Sequence, residues 1–159
     1  MSIEITPATI EDIPTILALI RELAEYEKLL DTMRATEESL RRDLFGPRPF
    51  AEVLMGRLNG TAVGYALFFH SYSTFLAQPG IYLEDVYVRR DARGAGVGKA
   101  LLRAVARIAH ERKCGRLELS VLDWNQPSID FYLRLGATAL SEWTMYRFTE
   151  PGIARLAQG

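Results

Sequence analysis

The 159-residue sequence predicts a mixed α/β fold, a sheet built from both hairpin and crossover connections and flanked by helices. Three observations carry that expectation. Short runs alternate apolar and polar residues, and two long stretches repeat apolar residues at helical spacing. Between the strand-like Ile81–Val88 and the helix-like Lys99–Arg112 lies a glycine run, Gly94-Ala95-Gly96-Val97-Gly98. The resulting order, β-α-α-β-β-β-α-β-α-β, argues against a purely doubly wound parallel sheet.

Ile3 and Ile5 alternate with polar neighbours and suggest a short first strand. Thr9-x-x-Asp12 is an N-cap pattern for a long helix with Ile13, Ile16, Leu17, Ile20, Leu23 and Ala24 on one face. Thr36-Glu37-Glu38 starts a second helix, read through Leu40 and Leu44 to a stop at Gly46. Phe50–Leu58 reads as a strand, Asn59-Gly60 as a two-residue hairpin turn and Ala62–Phe69 as the partner strand.

His70–Gly80 shows no periodicity and is expected to be looser. Tyr82, Glu84, Val86 and Val88 then begin the strand leading to the glycine run, where alternation sends Glu84 and Asp85 to opposite faces. The following helix carries Val97, Leu101, Val105 and Ile108 on one face and ends at Lys113-Cys114-Gly115. Leu117–Leu122 reads as a strand, Pro127-Ser128 opens a short helix that Gly136 ends, and Met145–Phe148 is expected as a last strand. There is no repeat, linker or low-complexity tract, so residues 1–159 are expected to form one domain.

A hydrophobic content of 48% and a charged content of 25% place the chain among ordinary globular proteins. The net charge of −1 gives no reason to expect nucleic acid or an anionic membrane as partner. No apolar run approaches the roughly 20 residues of a membrane span, and Met1–Ile5 lacks the character of a signal peptide. A cytoplasmic location is the expectation. Cys114 is the one cysteine and reads as a packing residue; His70 and His110 have no metal-ligand spacing around them, so no metal is expected. Neither histidine has a Gly-x-Ser-x-Gly neighbour, which leaves a serine hydrolase little support.

The glycine run carries the most chemistry. A strand feeding a glycine-rich turn into a helix aims several backbone N–H groups at one spot, and the helix dipole makes that spot attractive to anions. A P-loop needs Gly-Lys-Ser/Thr, whereas Gly98-Lys99 is followed by Ala100. The dinucleotide fingerprint fails because the glycines at 94, 96 and 98 are evenly spaced. Arg-x-x-Gly-x-Gly, read from Arg93 through Gly96 to Gly98, does fit. It resembles the pyrophosphate-binding signature of the GNAT N-acetyltransferases.

A second stretch extends the resemblance. In Asp123-Trp124-Asn125-Gln126-Pro127-Ser128-Ile129-Asp130-Phe131-Tyr132, the residues Asn125, Ser128, Phe131 and Tyr132 match the family, as do Gly136 and Ala137. Tyr132 lies one helical turn beyond Ser128, so the two share a face. With Tyr82-Leu83-Glu84-Asp85, Leu23–Glu27 and Trp124-Asn125, the chain is similar to the diamine (spermidine/spermine) acetyltransferase branch. It departs from that branch between Tyr72 and Pro79, where Ser73-Thr74-Phe75-Leu76 replaces a more acidic stretch. A long polycation needs acidic residues along its groove, which argues against polyamines.

The resemblance implies a GNAT fold, with a mostly antiparallel central sheet, and direct acetyl transfer from acetyl-CoA to a primary amine. The acceptor it implies is a small cationic molecule such as a polyamine, a diamine or a lysine-like amino acid. It places coenzyme A along Val86, Tyr87, Val88, Arg93, Gly94, Ala95, Gly96, Val97, Gly98, Lys99, Asn125, Ser128 and Tyr132. It makes Tyr132 the acid for the leaving thiolate and Glu84 the group that binds and helps deprotonate the amine. Tyr26, Glu27, Glu84, Asp85, Glu142 and Trp143 are expected on the acceptor side, in a homodimer. Two other readings stay open: a protein or peptide N-acetyltransferase, and a non-catalytic acyl-CoA-binding sensor. Glu84 and Tyr132 argue against the sensor, because a pure binder needs neither.

Overall fold

Asn59 and Gly60 both take left-handed backbone, with φ of 51° and 85°, and close the two-residue hairpin their sequence calls for. They join β2 (Glu52–Leu58) to β3 (Thr61–Ser73) in the computed structural model, which describes residues Met1–Gly159. β1 (Ile3–Pro7) pairs antiparallel with the outer side of β2, and β3 pairs antiparallel with β4 (Gln78–Val88). β5 (Leu117–Leu119) lies parallel to β4, so the sheet runs β1-β2-β3-β4-β5 and is mostly antiparallel, as expected.

The chain forms two compact units, Met1–Leu122 and Asp123–Gly159. In the first, helices cover both faces of the sheet. On one side, α1 (Ile13–Tyr26) and α2 (Glu37–Phe45) bury Ile13, Ile16, Leu19 and Leu40 against Val53, Met55, Tyr65 and Tyr87. Leu19 belongs to this stripe although the helical spacing read from the sequence passed over it. On the other side, α3 (Val97–Glu111) buries Val97, Leu101, Val105 and Ala109 against Leu54, Ala66, Phe68, Ile81 and Leu83. Cys114 packs at the margin of this second core, consistent with a packing residue.

Local signals explain the helix starts. The backbone N–H of Thr9 donates to Asp12 Oδ2 at 2.9 Å, and a 3-10 turn at Ile10–Asp12 leads into α1. Asp12 also receives Arg57 Nη2 at 2.8 Å, tying the start of α1 to β2. Burial raises the Asp12 pKa, but the Thr9 amide and Arg57 outweigh it and hold the carboxyl below its ordinary value. Thr36 caps α2 by accepting from Ser39 N–H at 3.0 Å.

The main departure from simple alternation is in β4. Leu67 faces Asp85 and Phe68 faces Leu83, so Glu84 is one residue too many on its strand, a β-bulge. Before the bulge, Ile81 and Leu83 point to α3; after it, Val86 and Val88 do, while Tyr87 points to α1 and α2. The expected opposition of Glu84 and Asp85 is therefore corrected, because alternation does not run through a bulge. Asp85 follows Leu67 onto the α1/α2 side instead.

Four other expectations change. His70–Gly80 is mostly hairpin rather than loose: Tyr72 faces Pro79 and Ser71 faces Gly80, a ladder of polar or small residues with no apolar rhythm to reveal it. The strand expected over Leu117–Leu122 stops at Leu119, where its pairing with Leu83 ends at the bulge. In the second unit, Met145–Phe148 is irregular chain rather than a strand. Finally, α5 (Glu150–Ala157) was not foreseen, although Thr149-Glu150-Pro151 is a helix start with proline in its first turn.

Candidate active site

The glycine run is built where its spacing placed it. Gly94 and Gly96 have φ of 86° and 98°, backbone that side-chain-bearing residues rarely adopt, and Gly96 is the N-cap of α3. The first helical bond here runs from Ala100 N–H to the Gly96 carbonyl at 3.0 Å. The amides of Val97, Gly98 and Lys99 thus lie in the first turn, ahead of the intrahelical ladder. α3 can sit this close to the sheet because of Gly56, where a Cβ would come within 2.7 Å of Val97 Cγ1.

Gly98 has a different reason to be glycine. A Cβ there would have one neighbour within 4 Å, Val88 Cγ2 at 3.7 Å, so packing does not demand its absence. A Cβ at Gly94 would meet nothing within 4 Å. Open space in front of a helix N-terminus lined by first-turn amides fits a pyrophosphate, and Ala95 and the exposed Lys99 flank it.

Arg93 is docked backward from this loop. Its Nε donates to the Val88 carbonyl at 2.9 Å, and its guanidinium lies 5.1 Å from the Tyr26 ring centre and 5.5 Å from that of Tyr87. Tyr87 in turn reaches Glu22, which is paired with Arg89 at 3.0 Å.

The edge of β4 supplies a second set of donors. Arg89 N–H donates to the Val63 carbonyl on β3, so Tyr87 and Asp85 address β3 in the same sense. Val86 and Val88 address the opposite edge, the one β5 covers only from Ile81 to Leu83. Their backbone groups lie beyond the end of that parallel ladder, in line with the glycine run.

Beside this edge is an acidic group. Tyr65 is fully buried and its hydroxyl donates to Asp85 Oδ2 at 2.9 Å. Burial pushes the Asp85 pKa up from its ordinary 3.8 to about 6; the Tyr65 hydrogen bond opposes that rise, and the charges of Glu84 and Glu27 add to it. Glu27 is itself raised, chiefly by burial and then by Glu84. Glu84 is exposed on the bulge. Three carboxylates thus repel one another at one place, which is favourable only for something that brings positive charge. Tyr65 is the residue here that sequence reasoning missed. A tyrosine inside an apolar strand reads as core, and only the register of β3 on β4 gives its hydroxyl a purpose.

The second unit holds the remaining expected residues. The Asn125 side chain accepts from Ser128 N–H at 3.3 Å and caps α4 (Gln126–Arg134), and Asn125 is buried. Tyr132 stands one turn after Ser128, its ring set edge-on to Phe131 with centroids 5.2 Å apart. Glu142 and Trp143 lie in exposed irregular chain, Trp143 at 75% exposure.

Comparison with known proteins identifies the family. Residues 16–137 match the model of the acetyltransferase (GNAT) family, a match that crosses from the first unit into the second. A thialysine N-epsilon-acetyltransferase from Bos taurus is 45% identical, the alignment covering 92% of this chain and 92% of that protein. An L-ornithine N5-acetyltransferase from Arabidopsis thaliana is 34% identical over 89% of this chain and 82% of that protein. Among solved structures, an integron cassette protein from the mobile metagenome of V. cholerae superposes with a TM-score of 0.83 at 25% identity, covering 100% of this chain and 99% of that one. GNAT acetyltransferases use acetyl-CoA, the ligand whose pyrophosphate the glycine loop fits. The chain is an N-acetyltransferase and belongs to the acetyltransferase (GNAT) family.

Proposed function

We propose that this enzyme acetylates the side-chain amine of a small cationic amino acid of the thialysine, lysine or ornithine kind. The observation that carries the reading is the cluster of Glu27, Glu84 and Asp85 beside the open edge of β4. The named relatives act on amino acids of that kind, and the hairpin tip at Ser73–Leu76 has no acidic side chain to hold a longer polycation.

Acetyl-CoA supplies the acetyl thioester. The acceptor, with an ordinary amine pKa of about 10.4, arrives as an ammonium and must lose a proton. Asp85 and Glu27 bind the cation, and the exposed Glu84 passes its proton through water to solvent. The Val86 and Val88 amides stand ready to donate to the oxyanion that forms at the thioester carbonyl. Tyr132 holds the proton that the departing thiolate needs, since a thiol has a pKa of about 8.5. Arg93, Lys99, the amides of Gly94–Lys99, and Asn125 with Ser128 hold the cofactor. Tyr26, Glu142 and Trp143 are the further residues proposed to bind the acceptor. Transfer is direct, with no acetyl group passing through Cys114.

In this reading residues 1–159 make a single N-acetyltransferase domain. A homodimer is proposed, as the resemblance to the diamine acetyltransferase branch implies. No helix is long and apolar enough to cross a membrane, and a cytoplasmic location is proposed with that.

The test is free thiol release from acetyl-CoA with a panel of thialysine, lysine, ornithine, spermidine, an aminoglycoside and a lysine-containing peptide. Turnover with the amino acids and at least tenfold less with spermidine supports the proposal. Preference for the peptide would replace it with a protein acetyltransferase, and turnover with none of the amino acids would overturn the acceptor reading.

A further inference from the structure

We propose that Tyr65 is a positioning residue for the acceptor: its buried hydroxyl holds the Asp85 carboxylate ionised and aimed at the incoming amine. This rests on the reading of the acidic cluster as the acceptor site. Three features combine. Tyr65 is fully buried between Met55 and Tyr87 in the ladder, so its ring has no freedom to turn away. The Glu84 bulge carries Asp85 onto the same face of the sheet, where the hydroxyl meets Oδ2 at 2.9 Å. The groups charging Asp85 from the surrounding elements are Glu84 on β4 and Glu27 after α1, both of which favour its protonation.

Tyr65 opposes them. As a phenol whose own pKa is held well above 10 by burial and then by Asp85, it remains a donor across the working range. A hydrogen bond to a carboxylate favours the charged form, and the charged form is the one an ammonium recognises. Without it, Asp85 keeps its proton to higher pH and neutral acid faces the cation.

The experiment follows the Asp85 carboxyl directly by 13C NMR, assigned by its loss in Asp85→Asn, alongside steady-state kinetics with thialysine. In Tyr65→Phe the carboxyl midpoint should rise by about one pH unit, the scale expected for a charge-assisted hydrogen bond. The KM for thialysine should rise about threefold at pH 6.5 and recover by pH 8.5, while the KM for acetyl-CoA stays within about twofold. Incorporating 3-fluorotyrosine at position 65, a stronger donor of nearly the same shape, should move the midpoint down. It decides the matter if Tyr65→Phe does not fold. Midpoints unmoved by either replacement overturn the proposal. A KM increase that does not recover at high pH also overturns it, because a merely structural role has no reason to titrate. Absence of turnover with thialysine would count against the function proposed above, while the NMR midpoint still judges Tyr65.

Discussion

The guanidinium of Arg93 lies 5.1 Å from the ring centre of Tyr26. The side chain that opens the cofactor signature thus rests on the last residue of α1, beside the carboxylates of the acceptor side. In the proposed reaction the two ends share a residue, and one substitution should disturb both.

Arg93→Ala is expected to weaken acetyl-CoA binding about tenfold, because the loop loses the anchor that Arg93 Nε makes on the Val88 carbonyl. It should also raise the amine KM, through loss of the support under Tyr26. Arg93→Lys keeps the charge but not the planar stack, so it should restore cofactor binding more than amine binding. Calorimetry with acetyl-CoA and amine kinetics read the two effects separately. An amine KM unchanged in Arg93→Ala would remove Tyr26 from the acceptor side.

Gly98→Ala separates cofactor from fold. The new Cβ has only Val88 to touch, at 3.7 Å, and alanine is the better helix former by up to about 1 kcal/mol. The thermal midpoint should hold or rise while acetyl-CoA affinity falls about tenfold or more. Unchanged affinity would mean the pyrophosphate does not lie against this turn.

Tyr132→Phe should lower kcat by about a hundredfold, within the range of a lost general acid, and change acetyl-CoA affinity less than about threefold. Single-turnover and binding measurements on the same preparation test this. Full turnover in the variant would remove the tyrosine from the chemistry.

Asp85→Asn should stabilise the protein where it inactivates it. The folded chain keeps the Asp85 proton up to pH about 6, whereas an ordinary carboxyl releases it at 3.8. The folded state binds more protons between those values, so wild-type stability falls as pH rises through that window. The penalty is complete above it and absent below it. Asparagine keeps an acceptor for Tyr65 and carries no charge toward Glu84 and Glu27. A gain of about 1–3 kcal/mol is expected at pH 8, shrinking to nothing near pH 3.5. Denaturant unfolding at the two pH values checks it; an equal gain at both would show that the effect is not titration.

The residues legible in the sequence were those whose conformation depends on their near neighbours. Gly94 and Gly96 sit at positive φ, Asn59-Gly60 makes its turn, and Asn125 caps α4, all of them short-range requirements that a spacing pattern records. What the sequence hid depends on partners far along the chain. Glu84 becomes a bulge only because β3 offers one residue opposite two, and Tyr65 is read as core until Asp85 arrives twenty positions later. Met145–Phe148 fails differently. It is irregular chain within the second unit, and the helix signal at Thr149-Glu150-Pro151 lay just beyond.

The bulge has a genetic consequence. Losing one codon at Glu84 would close the bulge into a regular ladder, with Leu83 still opposite Phe68 and Asp85 still opposite Leu67. Val86, Tyr87 and Val88 would keep their present sides, whereas a codon lost at Val86 would shift neighbouring β4 side chains to the wrong face. In the β3–β4 tip near Phe75, which is 96% exposed, the same lesion would shorten a turn. Tolerance of a one-codon deletion should therefore rise locally at Glu84 above its strand neighbours Leu83 and Val86, and a deletion scan along this hairpin would locate the bulge without a structure.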